Sequence, residues 1–119
     1  MSNQSVGLER IIKAWRYSVA GLTVTWKNEA AFRQELVLFG IATVVTLLID
    51  ATAVERVLLI SSLGLVLVVE LINSAIEACI DRIGSEYHQL SGAAKDIGSA
   101  AVLISLMLAA ITWLIILIG

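Results

Sequence analysis

The sequence predicts an all-α membrane protein: an N-terminal amphipathic helix on the membrane surface, followed by three transmembrane helices. Three observations lead there. Hydrophobic residues make up 59% of the 119-residue chain and charged residues only 15%, against about 25% charged in a soluble domain. Three long apolar stretches alternate with short polar segments. Proline is absent, so no ring forces a helix to stop or kink. The length suits one domain over residues 1–119. The net charge of −2 says little about partners, because the charges are segregated by position.

The surface helix is predicted over about 8–27. Leu8, Ile11, Ile12, Trp15, Val19, Leu22 and Trp26 recur at i, i+3, i+4 and i+7, the period of one helical face. Arg10, Lys13, Arg16 and Tyr17 take the other faces. A basic amphipathic helix with tryptophans suits the plane of a membrane interface, and simple anchoring is its plainest role. No apolar h-region follows a basic start, so no secretory signal is expected.

The first span is placed at about 29–49. Its uncharged core, Leu36 to Ile49, is 14 residues long, short of the roughly 20 needed to cross. Crossing therefore recruits Ala30, Ala31 and Phe32 and draws Arg33 and Glu35 into the entry turns. The loop DATAVER, from Asp50 to Arg56, leads to the second span at about 57–80. A polar connection from Asp81 to Asp96 follows, with Gly84 and Gly92 as expected breakers. The third span, Ile97 to Gly119, has 23 residues and no charge. Cys79, the single cysteine, reads as a small packing residue.

Lysine and arginine set the orientation. Arg10, Lys13, Arg16, Lys27 and Arg33 precede or open the first span, and Arg82 and Lys95 lie between the second and third. Arg56 alone lies between the first and second. The positive-inside rule puts the N-terminus in the cytoplasm and the C-terminus on the far side. Glu29, Glu77, Asp81, Lys95 and Asp96 then share the cytoplasmic level, with Glu35 and Glu70 roughly 10 Å deeper at 1.5 Å per residue.

Glu70 and Glu77 stand out in an otherwise uncharged run. A carboxylate at the centre of a membrane helix costs roughly 2.5–3.5 kcal/mol by insertion scales. Glu70, Asn73, Glu77 and Asp81 share one helical side, so the second span carries a polar stripe. Glu29 and Glu77 are hard oxygen ligands suited to magnesium, which takes a few carboxylates and substrate phosphates. No His or Cys cluster favours zinc. A desolvated carboxylate at Glu70 suits proton abstraction from an alcohol; a polar contact pairing two helices is the plainer alternative. Asp81 equally fits a helix-end residue paired with Arg82 or Lys95, and His88 a solvated loop residue. The pattern GxxxxGK[ST] is absent, as is any protein-kinase signature. Residue-level reading stops at a polyanion or metal site at the cytoplasmic face, above a buried carboxylate.

The run ELINSAIEACIDRIGSEYHQLSGAAKDIGSAAVLI, residues 70–104, resembles the prokaryotic diacylglycerol kinase family of small integral-membrane enzymes, especially its Gram-negative type. WKNEAAFRQE, residues 26–35, resembles that family's first span, and RIIKAWRYS, residues 10–18, its surface helix. The likeness needs no gap, and E-x-x-N-S-x-x-E followed by D-R and A-K-D is long and specific.

The resemblance implies a homotrimer in the bacterial inner membrane, with active sites shared between subunits and a periplasmic C-terminus. It implies ATP-dependent phosphorylation of diacylglycerol to phosphatidic acid. Glu70 matches the proposed catalytic base, and Glu29 and Glu77 match carboxylates that hold Mg2+. Arg10, Tyr17, Glu29, Glu77, Glu86, His88, Lys95 and Asp96 match positions around ATP. Glu35, Arg56, Glu70, Asn73 and Ser99 match positions lining or supporting the lipid site. The chain departs from the Gram-negative pattern at Ala93, where an arginine is expected, and at Ala20 and Thr23, where basic residues are expected. These changes remove positive charge from the cytoplasmic face and bear on phosphate attraction. Undecaprenol kinases of the same superfamily are the alternative within the class. A small proton-coupled multidrug exporter is the alternative outside it, disfavoured because such exporters have four spans and a key Glu in the first.

Overall fold

The structure, a computed structural model, describes residues 3–84, 86 and 88–119. All regular structure among them is helical: α1 (Asn3–Asn28), α2 (Ala30–Leu48), α3 (Ala53–Ile83) and α4 (Gln89–Ile118). The chain divides into two compact units, one ending at Ala30 and one beginning at Ala31.

The first unit is α1, with Glu29 as the single non-helical residue before α2. Ser18, Thr23 and Thr25 turn their hydroxyls back onto the carbonyls of Ala14, Val19 and Gly21 at 2.7–2.8 Å. Leu8, Ile11 and Trp15 of its apolar stripe are exposed.

The second unit holds three helices long and apolar enough to cross a membrane. Their most apolar windows have mean hydropathies of 1.6, 2.2 and 2.8 in chain order, so α2, the one with charged entry turns, is the weakest. It has 19 residues, or about 28 Å, which just matches a hydrocarbon core of about 30 Å. Helices α3 and α4, with 31 and 30 residues, exceed that core by about ten residues each. Helix α3 runs to Ile83 and α4 begins at Gln89, so the polar connection shrinks to residues 84–88. Gly84 does end α3, its N–H reaching the Ile80 carbonyl at 3.4 Å. Gly92 breaks nothing: its N–H bonds the His88 carbonyl at 2.9 Å inside the first turn of α4, because one glycine weakens a helix without stopping it.

Helices α3 and α4 form the closest-packed pair. Their antiparallel register is marked at three levels. The Lys95 ammonium meets Asp81 at 2.9 Å. Gly98 lies against the Asn73 side chain. The Trp113 indole donates to the Leu59 carbonyl at 3.2 Å. Small buried residues on α4, Gly98, Ser105 and Ala109, allow this approach, as small residues do between membrane helices. On α3, Leu59 and Val66 are the buried apolar residues. Cys79 is exposed, contrary to its reading as a packing residue. The three helices alone cover little apolar surface, and most large side chains of α3 and α4 remain exposed.

Arg56 closes the α2–α3 turn. Its Nε donates to the Thr46 carbonyl at 3.2 Å and its Nη2 to the Ile49 carbonyl at 3.0 Å. The last carbonyls of a helix have no partner in the helix itself, and a cation there also suits the negative end of the helix dipole. Thr52 and Glu55 form a reciprocal capping box, at 2.8 and 3.1 Å, which starts α3. Thr46 and Ser105 are buried but bond the carbonyls of Ala42 and Val102 at 2.7 Å, so neither hydroxyl is orphaned.

Trp113→Phe keeps the ring and removes the indole donor. Reversible unfolding in mixed micelles should show a loss of about 0.6 kcal/mol, the average for a polar contact between membrane helices, with about 1.7 as the ceiling. Unchanged stability would mean that the Trp113–Leu59 bond contributes nothing to the α3–α4 seam.

Candidate active site

The polar stripe of α3 supplies the candidate site. Glu70, Asn73 and Glu77 are half-buried and Asp81 is exposed, so the stripe grades from the interior of the helix pair to its open end. Each residue meets a different neighbour.

Glu70 faces α2. Its carboxyl and that of Glu35 lie within hydrogen-bonding reach of each other, and the second Glu35 oxygen, Oε2, is buried without a partner. Phe39, one turn further along α2, lies beside Gly64 of α3, so the two helices share this seam. An unpartnered buried oxygen costs about 1–3 kcal/mol, which an optimised structural contact would avoid.

Asn73 and Glu77 sit one turn apart, with the Asn73 Nδ2 donating to the Glu77 Oε1 at 3.3 Å. The Asn73 Oδ1 is buried and has no partner. Asp81 takes Lys95 rather than Arg82, so the ion-pair reading of Asp81 holds. Both side chains of that pair are well exposed, at 68% and 45%, which limits its worth to about 0–1 kcal/mol. Lys95 is therefore anchored yet still open to a ligand.

An open cleft of about 240 Å³ lies at this end, lined by Ile80, Asp81, Gly84, Glu86, His88, Ser91, Gly92 and Lys95. Ligand pockets for whole small molecules run to roughly 300–1,000 Å³, so this cleft would enclose only part of such a molecule. His88 is more than a solvated loop residue. It is the N-cap of α4, and its Nδ1 accepts the Leu90 N–H at 3.0 Å. A neutral imidazole that accepts at Nδ1 carries its proton on Nε2, leaving a donor. On α1, Arg10 and Tyr17 share a groove with Val6, Glu9, Lys13 and Ala14.

The structure thus joins Glu35 with Glu70, Asn73 with Glu77, and Glu86, His88 and Lys95 around one cleft. Asp96 and Ser99 are exposed and take no part in these contacts. Arg56 is spent on the end of α2, about 21 Å along α3 from Glu70. Among the described residues, no three His, Cys, Asp or Glu side chains form a ready-made metal cluster. The donor type still fits magnesium, which binds through one or two carboxylates plus substrate phosphates. Glu77 is half-buried and engages one oxygen with an amide, so its other oxygen is open to a cation. Sequence reasoning missed the cap at His88, the seat at Gly98 and the clamp at Arg56. Only the Thr52–Glu55 capping box had a local signal, the pattern T-x-x-E.

Residues 16–117 match the prokaryotic diacylglycerol kinase family. The chain is 60% identical over 117 residues to the diacylglycerol kinase of Escherichia coli strain K12, covering 98% of this chain and 96% of the relative. It is 47% identical over 113 residues to that of Pseudomonas aeruginosa, covering 95% and 92%. It is 46% identical over 110 residues to that of Haemophilus influenzae, covering 92% and 93%. With likeness running nearly from end to end and a family match over residues 16–117, the chain belongs to the prokaryotic diacylglycerol kinase family.

Proposed function

We propose that the protein transfers the γ-phosphoryl group of MgATP to the free hydroxyl of membrane diacylglycerol, giving phosphatidic acid and ADP. It acts as a homotrimer in the bacterial inner membrane, with its N-terminus and the α3–α4 connection in the cytoplasm and its C-terminus in the periplasm. Family membership supports the reaction. The observation in the structure that carries it is the α3 stripe, with carboxyls at two depths. Glu70 faces Glu35 in the apolar part, and Glu77 lies about 10 Å nearer the open end.

Diacylglycerol reaches Glu70 laterally from the bilayer. The Glu70 carboxylate takes the hydroxyl proton, the lipid oxygen forms a bond to the γ-phosphorus, and the β–γ bridging bond breaks to release ADP. Glu35 supports the geometry of Glu70 from α2, and Ser99 belongs to the lipid side in the family pattern. Arg56 does so only through the α2–α3 turn that it closes. Glu29 and Glu77 would hold magnesium, which would supply positive charge against the phosphates. Lys95 and the His88 Nε2–H donate to phosphate oxygens, with Glu86 in the same cleft; Asp96 joins the ATP side by the family pattern alone. Arg10 and Tyr17 offer a cation and a phenol from α1. Phosphoryl transfer depends mainly on positioning and electrostatics, so a small helical protein needs no nucleotide-binding fold.

Two assays test this. Labelled ATP offered with diacylglycerol and, separately, with undecaprenol should label phosphatidic acid; label confined to the polyprenol would move the enzyme to the other lipid. Glu70→Gln keeps the shape and removes the proton acceptor, so turnover should fall by about 10²-fold or more while MgATP binding persists. Most of the turnover surviving would reduce Glu70 to a helix contact.

His88 has two separable roles. Asn is a good N-cap and Ala a poor one, a difference of about 1 kcal/mol. His88→Ala should therefore be less stable than His88→Asn, and both should need more ATP for half-maximal rate. Normal ATP dependence in His88→Asn would leave the imidazole as a cap and nothing more.

A further inference from the structure

Asn73 reaches Glu77 in a way that constrains both. The Asn73 Nδ2 donates to the Glu77 Oε1 at 3.3 Å, while its Oδ1 is buried without any partner. That oxygen lies against Gly98 of α4, where an added Cβ would overlap Oδ1 and crowd Cγ. Gly98 is itself buried. The amide is therefore wedged between the α4 backbone and the Glu77 carboxylate. The reverse orientation would set an amide oxygen against carboxylate oxygens, two acceptors with no proton between them. Only the orientation that donates to Glu77 is attractive.

We infer that Asn73 is a positioning residue for the Glu77 carboxylate, and that Gly98 is the seat that allows it. This rests on the proposal that Glu77 holds magnesium. The Asn73 amide occupies one Glu77 oxygen and fixes the plane of the carboxylate, leaving Oε2 for the cation. Groups that orient a ligating carboxylate are worth about 10–100-fold in metal affinity. The orphaned Oδ1 belongs to the same arrangement: an oxygen pressed on glycine backbone cannot turn away. An Asp at position 73 would repel Glu77, and an apolar residue would leave it free to swing. The role differs from lining the lipid site, because Asn73 acts on the metal carboxylate and not on diacylglycerol.

The test is Mn2+ binding to the full-length protein with a non-hydrolysable ATP analogue, read from the electron paramagnetic resonance of free Mn2+. Kinetic titrations of Mg2+ and diacylglycerol accompany it. Asn73→Ala and Gly98→Ala should each weaken Mn2+ by about 10-fold or more and raise the Mg2+ needed for half-maximal rate. The diacylglycerol dependence should stay put. Asn73→Ala with Gly98→Ala should bind Mn2+ no more weakly than Asn73→Ala alone, since the new methyl then has no amide to displace. If Gly98→Ala does not fold, the double variant should, because the clash is with Asn73. A double variant that also fails to fold would give Gly98 a different packing role and overturn the seat. Glu77→Gln separates the layers. If it leaves Mn2+ binding intact, the magnesium reading fails. If it weakens Mn2+ while Asn73→Ala does not, or if Asn73→Ala shifts only the diacylglycerol dependence, the positioning role is wrong.

Discussion

A carboxyl group in hydrocarbon must find polar company or stay neutral, and α3 carries its polar groups on one side along most of its inner half. That constraint organises the second unit. A side carrying Glu70, Asn73 and Glu77 cannot face acyl chains, so it turns into the seams with α2 and α4. Glu70 meets Glu35 across one seam. Asn73 meets Gly98 across the other. The apolar sides of α3 are then left outward, which is why so much of its hydrophobic surface is exposed. The stripe is incompletely satisfied, since Glu35 Oε2 and Asn73 Oδ1 are both buried without partners. Each such atom costs about 1–3 kcal/mol. Unpartnered acceptors of this kind cluster where a ligand is meant to arrive or a side chain is held for work.

The rest of the unit follows from the need to satisfy polar groups, backbone and side-chain alike, at membrane depth. Arg56 bonds the carbonyls of Thr46 and Ile49 at one end of the seam. Trp113 reaches the Leu59 carbonyl on the far half of α3. These contacts lie about 20 Å along the helices from the carboxyls, and they set the register in which Glu35 faces Glu70 and Gly98 faces Asn73. A helix slid by one residue would turn each side chain about 100° away, at 3.6 residues per turn. Remote polar contacts thereby govern the geometry of the site without touching a substrate.

Much of this was legible in the chain. Apolar runs located α2, α3 and α4 because span length is set by bilayer thickness. The stripe was legible because Glu70, Asn73, Glu77 and Asp81 differ so sharply from their neighbours and recur at helical spacing. The Asp81–Lys95 pair was foreseen as one of two options, and the structure chose Lys95 over Arg82 because the α4 start lies opposite. What could not be read depended on pairs far apart in sequence. Gly98 looks like an expected small residue until Asn73 is placed on it. Arg56 looks like a lone charge on a loop until the end of α2 is folded back. The extent of α3 and α4 was underestimated because hydropathy marks where lipid begins, whereas hydrogen bonding carries a helix on into water. Gly92 shows the same limit from the other side, as a glycine whose helical neighbours outweigh its own preference.

Two side-chain neighbours organise the α3 stripe, and solid-state nuclear magnetic resonance of the labelled protein in lipid bilayers measures both. The side-chain carboxyl carbons of Glu35 and Glu70 should show a through-space correlation, as should the Asn73 Nδ2 and the Glu77 carboxyl carbon. A spectrum in which Glu70 correlates with lipid acyl chains and not with Glu35, and Asn73 with residues other than Glu77, would contradict this arrangement.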